Sequence, residues 1–172
     1  PYYRAPFGGD AANITIVENA GNEKVYYEFH QDGSQRKCLV IPDGAFRNPM
    51  TVEQIQNQIV RMPLTGVVMD GSTVFNFAQK EVPILVDSLT KMAETTKEDI
   101  DWFLFHQPNK FMLQKLAERI GVPFEKMPMD IVEKFGNSNS ATIPTAITAD
   151  LKEEMLNKES LCCLAGFGAG VA

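Results

Sequence analysis

One imidazole and one carboxamide stand at positions where α/β proteins carry out chemistry. The imidazole is His106, which closes the short apolar run at 102–105 and precedes Gln107, Pro108 and Asn109. Proline is tolerated in a first helical turn, so a helix can begin at Pro108 and His106 stands at the mouth of a strand. Ligands collect at the carboxyl ends of parallel strands and at the helix N-termini that follow them. His106 is therefore a candidate site residue.

The carboxamide is Asn137, and it lies in a stretch of the same form. Gly136 frees the backbone before it, and the polar run 138–140 can cap a helix that runs from about residue 141. Both groups thus lie at predicted loop-to-helix junctions, where they can converge on one carbonyl or carboxylate. Each short motif by itself is more often a turn than a catalytic site, so the order of several motifs carries more weight.

Several motifs occur in an order that matches a known family. They are Gly71 with Val74-Phe75, His106-Gln107-Pro108-Asn109, Gly136-Asn137 with Pro144, and Gly166-Phe167-Gly168-Ala169-Gly170, preceded by Phe7-Gly8-Gly9-Asp10-Ala11-Ala12. Over nearly its whole length the chain resembles the C-terminal half of the β-ketoacyl-acyl-carrier-protein synthase III family, which are thiolase-fold condensing enzymes. The resemblance implies one α/β domain over residues 1–172, a layered mixed β-sheet with flanking helices. The catalytic cysteine of that family belongs to an N-terminal half that is not found in this sequence.

The resemblance also implies an activity, a decarboxylating Claisen condensation of an acyl thioester with malonyl-acyl carrier protein in fatty acid biosynthesis. In that family the residues matching His106 and Asn137 hydrogen-bond the malonyl thioester oxygen, which gains charge when carbon dioxide leaves. Removing one donor of this kind typically slows a reaction by about 10²- to 10³-fold. This chain then supplies the His/Asn half of an acyltransferase site, and by itself is expected to be inactive.

Further site residues follow from the resemblance. The Ala169 amide would belong to the oxyanion hole of the acyl-cysteine, and an acidic carrier protein would dock on Lys110, Lys115 and Arg119. Substrate-binding positions would be Asn109, Gly71, Phe75 and Phe167. Acyl carrier protein or coenzyme A thioesters are the expected partners, with no cofactor and no metal. The full-length protein is expected to form a homodimer.

Two rival hypotheses remain open at this point. The first is a noncatalytic thiolase-fold subunit or binding module that supports a partner carrying the cysteine. It has no chemical need for both His106 and Asn137, so their presence favours the enzyme. The second is another condensing enzyme, such as a polyketide-type or hydroxymethylglutaryl-type synthase, which the reaction product would distinguish.

Composition excludes several classes of function. The 172 residues are 44% hydrophobic and 22% charged, which is ordinary for a globular domain. The net charge of −6 argues against general binding to nucleic acid or anionic membranes, both of which need a basic surface. No apolar run is long enough to span a bilayer. The chain starts without methionine and stops just after a glycine-rich loop, so it is interpreted as a fragment or processed piece.

The three cysteines, Cys38, Cys162 and Cys163, are too few for a disulfide framework and match no zinc-site spacing. A reducing cytoplasm is the expected location. None of the three is predicted at a helix N-terminus, where a thiolate is stabilised, so all three are predicted to be structural. His30, in a polar loop, is predicted to be solvated.

The pattern of apolar residues predicts the following elements. A β-hairpin is expected over 11–18 and 24–29, with strands at 38–41, 64–69, 102–105 and 161–165. Helices are expected at 51–60, at 73–95 with a kink or break at Pro83, after Pro108 as far as Gly121, and at 141–156.

Overall fold

The computed structural model of the 172-residue chain describes residues 8–18, 21, 24–42, 46, 48–61 and 68–168, and for residues 57–61 the backbone alone. Within those ranges no helix combines the length and apolar character needed to cross a membrane. The described strands are β1 (Leu39–Val40), β2 (Val68–Met69), β3 (Trp102–Phe105) and β4 (Cys162–Ala165). The described α-helices are α1 (Val52–Arg61), α2 (Gly71–Met92), α3 (Lys110–Ile120), α4 (Ile131–Phe135), α5 (Thr142–Asp150) and α6 (Lys152–Asn157).

Strands β3 and β4 form the parallel pair on which the molecule is built. They run in register from Trp102 opposite Cys162 to Phe105 opposite Ala165, and helices α3 to α6 lie between them in the chain. Strands β1 and β2 form a separate antiparallel pair. A parallel pair needs a crossover connection, and this one brings the residues after β3 and after β4 to the same edge. His106 follows β3 at that edge.

The main core lies where α2 and α3 pack over β3. Phe103, Phe105, Leu113 and Leu116 are completely buried there, and Val82 and Val86 of α2 pack against them. The valines are four residues apart on α2 and the leucines three residues apart on α3, so one face of each helix is apolar. The core therefore fixes the carboxyl end of β3 and the first turn of α3, which flank His106.

Side chains at the helix ends explain where the helices begin and end. Thr51 and Gln54 form a reciprocal capping box at α1, with Thr51 N donating to Gln54 Oε1 (2.7 Å) and Gln54 N donating to Thr51 Oγ1 (3.2 Å). The Asp70 carboxylate accepts from the N–H groups of the first turn of α2. Helix α3 ends at Gly121, whose φ of 81° is the left-handed conformation that glycine tolerates. These predicted starts and the predicted Gly121 cap are confirmed.

The predicted hairpin is wrong. Residues 11–18 and 24–29 form no strand, and their apolar side chains are exposed: Ile14 is 94% exposed, Ile16 87% and Phe29 82%. Alternating β-branched residues favour an extended backbone, but a strand also needs a partner for its N–H and C=O groups. Within the described residues these segments have none.

Two helix predictions also need correction. Helix α2 is a single helix across Pro83, so the proline does not split it. The predicted helix at 141–156 is two helices, α5 and α6, separated at Leu151. Neither α5 nor the preceding 3₁₀ turn at Asn139–Ala141 has a side-chain cap from residues 138–140. The Asn137 side chain instead accepts a hydrogen bond from the backbone of that segment.

Candidate active site

His106 is held at the end of β3 by both its backbone and its ring. Its backbone N–H donates to the Ala165 carbonyl at 2.8 Å, which continues the β3–β4 ladder by one residue. The ring is half-buried, and Phe167 lies edge-on to it with ring centroids 5.5 Å apart. The structure therefore brings the loop after β4 against the predicted histidine, as expected for two strands that end at one edge.

The ring of His106 is anchored by Thr142, the first residue of α5. Its Nδ1 lies 2.9 Å from Thr142 Oγ1, and the same oxygen accepts the Gln107 backbone N–H at 3.2 Å. Thr142 Oγ1 also donates to the Asn139 carbonyl at 2.8 Å. The Thr142 side chain is fully buried. This hydroxyl thus ties the strand-end loop to the start of α5.

Asn137 is positioned by close contact between two backbones. The residues of the Gly8–Gly9 segment run beside it, and Gly9 N donates to the Asn137 carbonyl at 3.1 Å. Gly136 has φ 72° and ψ 177°, and a Cβ there would lie 2.6 Å from the Gly8 carbonyl oxygen. Only glycine satisfies both conditions. The glycine before Asn137 is therefore structural, as predicted.

The Asn137 amide has a defined orientation. Its Oδ1 accepts the Asn139 backbone N–H at 2.9 Å, and a backbone N–H can pair only with the oxygen of the amide. The Nδ2 hydrogens therefore point away from Asn139 and are available as donors. The Asn139 carbonyl in turn accepts from Thr142, which contacts His106. One chain of hydrogen bonds links the two predicted site residues.

Burial sets the charge of His106. Burial lowers the pKa of His106 below its ordinary value of 6.5, and a hydrogen bond to the Asn139 backbone opposes this effect without overcoming it. The imidazole is therefore neutral at pH 7. The two predicted site groups, the His106 ring and the Asn137 amide, are thus both uncharged at this pH.

The four predicted substrate-binding residues lie in different settings. Asn109 caps α3, because its Oδ1 accepts the Met112 N–H at 2.8 Å, so any contact with substrate must use its Nδ2. Gly71 is exposed at the start of α2, and Phe75 stacks on Phe111 at 5.9 Å between centroids. Phe167 alone contacts His106. Ala169 lies outside the described residues.

The three predicted docking residues differ in whether an acidic side chain of this chain pairs with them. Lys110 pairs with Asp130 at 2.8 Å and with Glu133 at 3.5 Å, and Lys115 pairs with Glu118 at 2.7 Å. Arg119 is exposed, and the part of the chain that the structure describes gives it no ion pair. The positive charges of the two lysines are thus partly neutralised within the chain, and that of Arg119 is not neutralised by any ion pair among the described residues.

The cysteines on β4 are held as thiols. Burial raises the pKa of Cys163 to about 11, and burial together with Asp101 raises the pKa of Cys162. A thiol nucleophile needs a lowered pKa. Neither cysteine on β4 has one, in agreement with their predicted structural role.

Sequence reasoning missed two buried polar residues beside His106. One is Thr142, and the other is Gln107, whose side chain is completely buried and donates from Nε2 to the Pro128 carbonyl. Only Gln107 had a signal, because it lies inside the motif 106–109. Thr142 is an ordinary threonine in a polar stretch, and its role depends on contacts 36 positions away in sequence.

Comparison with known proteins bears on this arrangement. Residues 90–172 match the family model for the C-terminal part of 3-oxoacyl-[acyl-carrier-protein] synthase III. The chain is 31% identical over 165 residues to β-ketoacyl-[acyl-carrier-protein] synthase III of Synechocystis sp., a match that covers 96% of this chain. The chain belongs to the β-ketoacyl-acyl-carrier-protein synthase III family. It spans about half the length of the curated relatives it matches, 49% of the Synechocystis protein.

Solved structures of this family share the fold. A crystal structure of a 3-oxoacyl-(acyl-carrier-protein) synthase III superposes with a TM-score of 0.75 at 30% identity, covering 91% of this chain and 48% of the other. The 3-oxoacyl-(acyl-carrier protein) synthase of Burkholderia xenovorans LB400 gives 0.70 at 35% identity, covering 83% of this chain and 40% of the other. The predicted thiolase-like α/β fold is confirmed.

Proposed function

We propose that this chain supplies the histidine and asparagine of a decarboxylating condensation between an acyl thioester and malonyl-acyl carrier protein. The carrying observation is the hydrogen-bonded chain from His106 through Thr142 and Asn139 to Asn137, found in a member of this family. The single domain of residues 1–172 then works with a cysteine-bearing half. In fatty acid biosynthesis this reaction starts the growing chain.

The proposed reaction proceeds in two steps. First, the bond between the malonyl carboxylate and the α-carbon breaks and carbon dioxide leaves. The electron pair of that bond is delocalised onto the thioester oxygen, which gives an enolate. Next, the α-carbon attacks the carbonyl of the acyl-cysteine, a carbon–carbon bond forms, and the cysteine thiolate leaves. The electron pair of the broken carbon–carbon bond stays with the α-carbon and forms the new bond, so the proposed reaction needs no cofactor or metal.

The two site residues stabilise the enolate oxygen. The Nδ2 of Asn137 is available as a donor because its Oδ1 is occupied by Asn139. The His106 ring supplies the second hydrogen bond to the oxygen. Fixed donors cost little reorganisation when the charge develops, which is why they lower the barrier. The Ala169 amide remains a prediction for the acyl-cysteine oxyanion.

The partner is proposed to be an acyl carrier protein, with coenzyme A thioesters as the other substrate class. Carrier proteins of this kind are acidic, and an exposed cationic side chain such as Arg119 would speed their encounter despite the net charge of −6. The homodimer stays a prediction.

The test separates the two half-reactions in the protein assembled with its cysteine-bearing half. His106→Ala and Asn137→Ala are each expected to slow carbon dioxide release from malonyl thioester by about 10²- to 10³-fold. Acyl transfer to the cysteine should stay near the unsubstituted rate, because the proposal assigns both residues to the malonyl thioester and neither to the acyl-cysteine.

Matched controls are His30→Ala and Asn157→Ala, which remove the same side chains from exposed positions. They should leave both half-reactions unchanged. Equal loss of both half-reactions in the site variants would contradict the assignment. Unchanged decarboxylation in both would favour the noncatalytic binding module, and a longer or branched condensation product would indicate a polyketide-type or hydroxymethylglutaryl-type synthase.

A further inference from the structure

We propose that Gln107 is a positioning residue for Asn137, because its side chain and its backbone N–H hold the two ends of the segment 128–142 in which Asn137 lies. Gln107 directly follows His106 in the chain. It therefore ties the segment that carries one site residue to the neighbour of the other. The inference rests on the proposed function, in which both groups must reach the same enolate oxygen.

The side chain of Gln107 holds the first end of the segment. It is completely buried, and its Nε2 donates a hydrogen bond to the Pro128 carbonyl. The orientation of the amide is fixed, because a carbonyl oxygen only accepts and the atom that meets it must be the nitrogen. Pro128 lies three residues before the start of α4, so this hydrogen bond sets where the chain enters that helix.

The backbone of Gln107 holds the second end. Its N–H donates to Thr142 Oγ1 at 3.2 Å, and Thr142 is the first residue of α5. Thr142 has no exposed surface, so water does not compete for this contact. One residue at the end of β3 thus binds the chain both before α4 and at the start of α5.

Asn137 lies between these two ends, just after α4. Helix α4 has only five residues, and Gly9 N donates to the Asn137 carbonyl at 3.1 Å in the turn that follows. The Gly9 contact shapes the turn itself. The contacts of Gln107 relate the same turn to the strand end that carries His106.

Packing alone does not explain a glutamine at position 107. Its Oε1 is buried and accepts no hydrogen bond from any described residue. A buried acceptor without a partner destabilises a fold, so an apolar side chain of the same length would suit packing better. The glutamine adds the Nε2 donor, and that donor is used on Pro128. The polar side chain therefore serves to hold the segment rather than to fill the core.

Small displacements of Asn137 matter to the proposed reaction. A donor stabilises a developing charge only when it is already in place, and a misplacement of about 1 Å can cost about 10²-fold in rate. In the proposed reaction Gln107 itself touches no substrate. A change at Gln107 therefore lowers the rate through the position of Asn137, without removing either donor.

The first test removes the donor and keeps the size of the side chain. In the protein assembled with its cysteine-bearing half, Gln107→Met should slow carbon dioxide release from malonyl thioester by about 10²-fold. Acyl transfer to the cysteine should stay near the unsubstituted rate. Gln107→Asn keeps an amide but is one methylene shorter, so it should lose the contact with Pro128 and have the same effect. It replaces Gln107→Met if that variant does not fold.

Gln79→Met is the matched control. Gln79 is also a buried glutamine, 6% exposed, and its Nε2 also donates to a backbone carbonyl, that of Met112, at 3.2 Å. This hydrogen bond joins α2 to α3 and does not involve the segment of Asn137. Gln79→Met should therefore leave both half-reactions near the unsubstituted rates.

A measurement without substrate tests the position of Asn137 directly. In a ¹⁵N-asparagine sample of the same assembled protein, the Asn139 backbone N–H reports its hydrogen bond to Asn137 Oδ1. Asn137→Asp and Asn139→Asp identify the signals of the two residues. These signals should shift in Gln107→Met and stay unchanged in Gln79→Met.

Several results would overturn the proposal. One is unchanged Asn137 and Asn139 signals in a folded Gln107 variant. Another is an equal loss of rate in the Gln107 and Gln79 variants, which would indicate a general effect on the core. Failure of both Gln107 variants to fold would also overturn it, because the side chain would then be required by the core as a whole.

The same data separate this proposal from the proposed function. Shifted signals with an unchanged rate of carbon dioxide release contradict positioning by Gln107 if Asn137→Ala slows that release. If Asn137→Ala does not slow it, the proposed function fails instead. The signals alone then decide whether Gln107 positions Asn137.

Discussion

Burial lowers the pKa of His106, and a single hydroxyl group contacts its ring. The half-buried ring is neutral because its charged form loses solvation, and Thr142 restricts its orientation. Asn137 is fixed by a different device, a backbone N–H that occupies its carbonyl oxygen. In each side chain one polar atom, His106 Nδ1 or Asn137 Oδ1, is therefore hydrogen-bonded within the fold. The other polar atom of each side chain is left for a ligand.

The lowered pKa of His106 predicts how stability depends on pH. Between the ordinary value of 6.5 and the lower folded-state pKa, the unfolded chain binds a proton that the folded chain does not. The free energy of unfolding should thus be fully retained above 6.5 and should fall as the pH decreases through this window. Denaturant unfolding over a pH series measures the slope.

The slope is assigned by substitution. His106→Gln should reduce the pH dependence in this window, while the control His30→Gln should retain it, because that variant keeps the buried His106 ring. If both variants keep the same slope as the unsubstituted chain, burial of His106 does not control its protonation.

At the scale of elements, the site depends on segments that meet end to end. Strands β3 and β4 stop at the same edge, α3 begins five residues after the end of β3 with Asn109 as its cap, and α5 begins with Thr142. The turn before Asn137 is possible because the Gly8–Gly9 segment passes against Gly136. Distances between the functional groups are therefore set by strand register and by one close backbone contact.

Gly136→Ala should lower the free energy of unfolding more than a glycine-to-alanine substitution at a position without a close backbone contact. Its backbone conformation is nearly exclusive to glycine, and an added methyl group would lie 2.6 Å from the Gly8 carbonyl oxygen. We expect a loss of about 1–3 kcal/mol in the free energy of unfolding from the backbone conformation alone, with the steric contact in addition.

Gly121→Ala is the matched control. Gly121 also has a positive φ, 81°, but a methyl group there would meet nothing within 4 Å. Its loss should be smaller, about 1 kcal/mol, as for an alanine in the left-handed helical region. Equal losses in the two variants would show that the contact with Gly8 contributes nothing.

At the scale of the whole molecule, one hydrophobic core with long-range contacts supports the strands and helices around the site. It joins α2, α3, β3 and β4, and its members come from positions 78 to 163 of the sequence. The surface around it is acidic in balance, with 22 Asp and Glu against 16 Lys and Arg. A partner of the same sign must therefore approach a local cationic position rather than the surface at large.

Leu113→Ala should lower the free energy of unfolding by about 2–5 kcal/mol, because the side chain is completely buried between the helices and β3. Leu156→Ala, at a position that is 71% exposed, should change it by no more than about 0.5 kcal/mol. Urea unfolding measures both. Similar effects in the two variants would mean that the core assigned here does not stabilise the chain.

Local patterns in the sequence determined the elements that depend on their own residues. The run 102–105, the capping box at Thr51 and the glycine at 121 act within a few positions, so strand β3, helix α1 and the end of α3 were predictable. The motif order also pointed to His106 and Asn137, because loop-to-helix junctions after strands place side chains at one edge of a sheet.

Only the tertiary structure decided which of these groups meet and in what chemical state. Residues 11–18 and 24–29, which the structure describes, form no strands because strand formation depends on a partner, which local composition does not supply. Thr142 lies 36 residues from His106, and the glycines at 8–9 lie far from Gly136, so neither contact has a local signature. The protonation of His106 and the orientation of the Asn137 amide are set by burial and by tertiary hydrogen bonds, so they are defined only once the chain has folded.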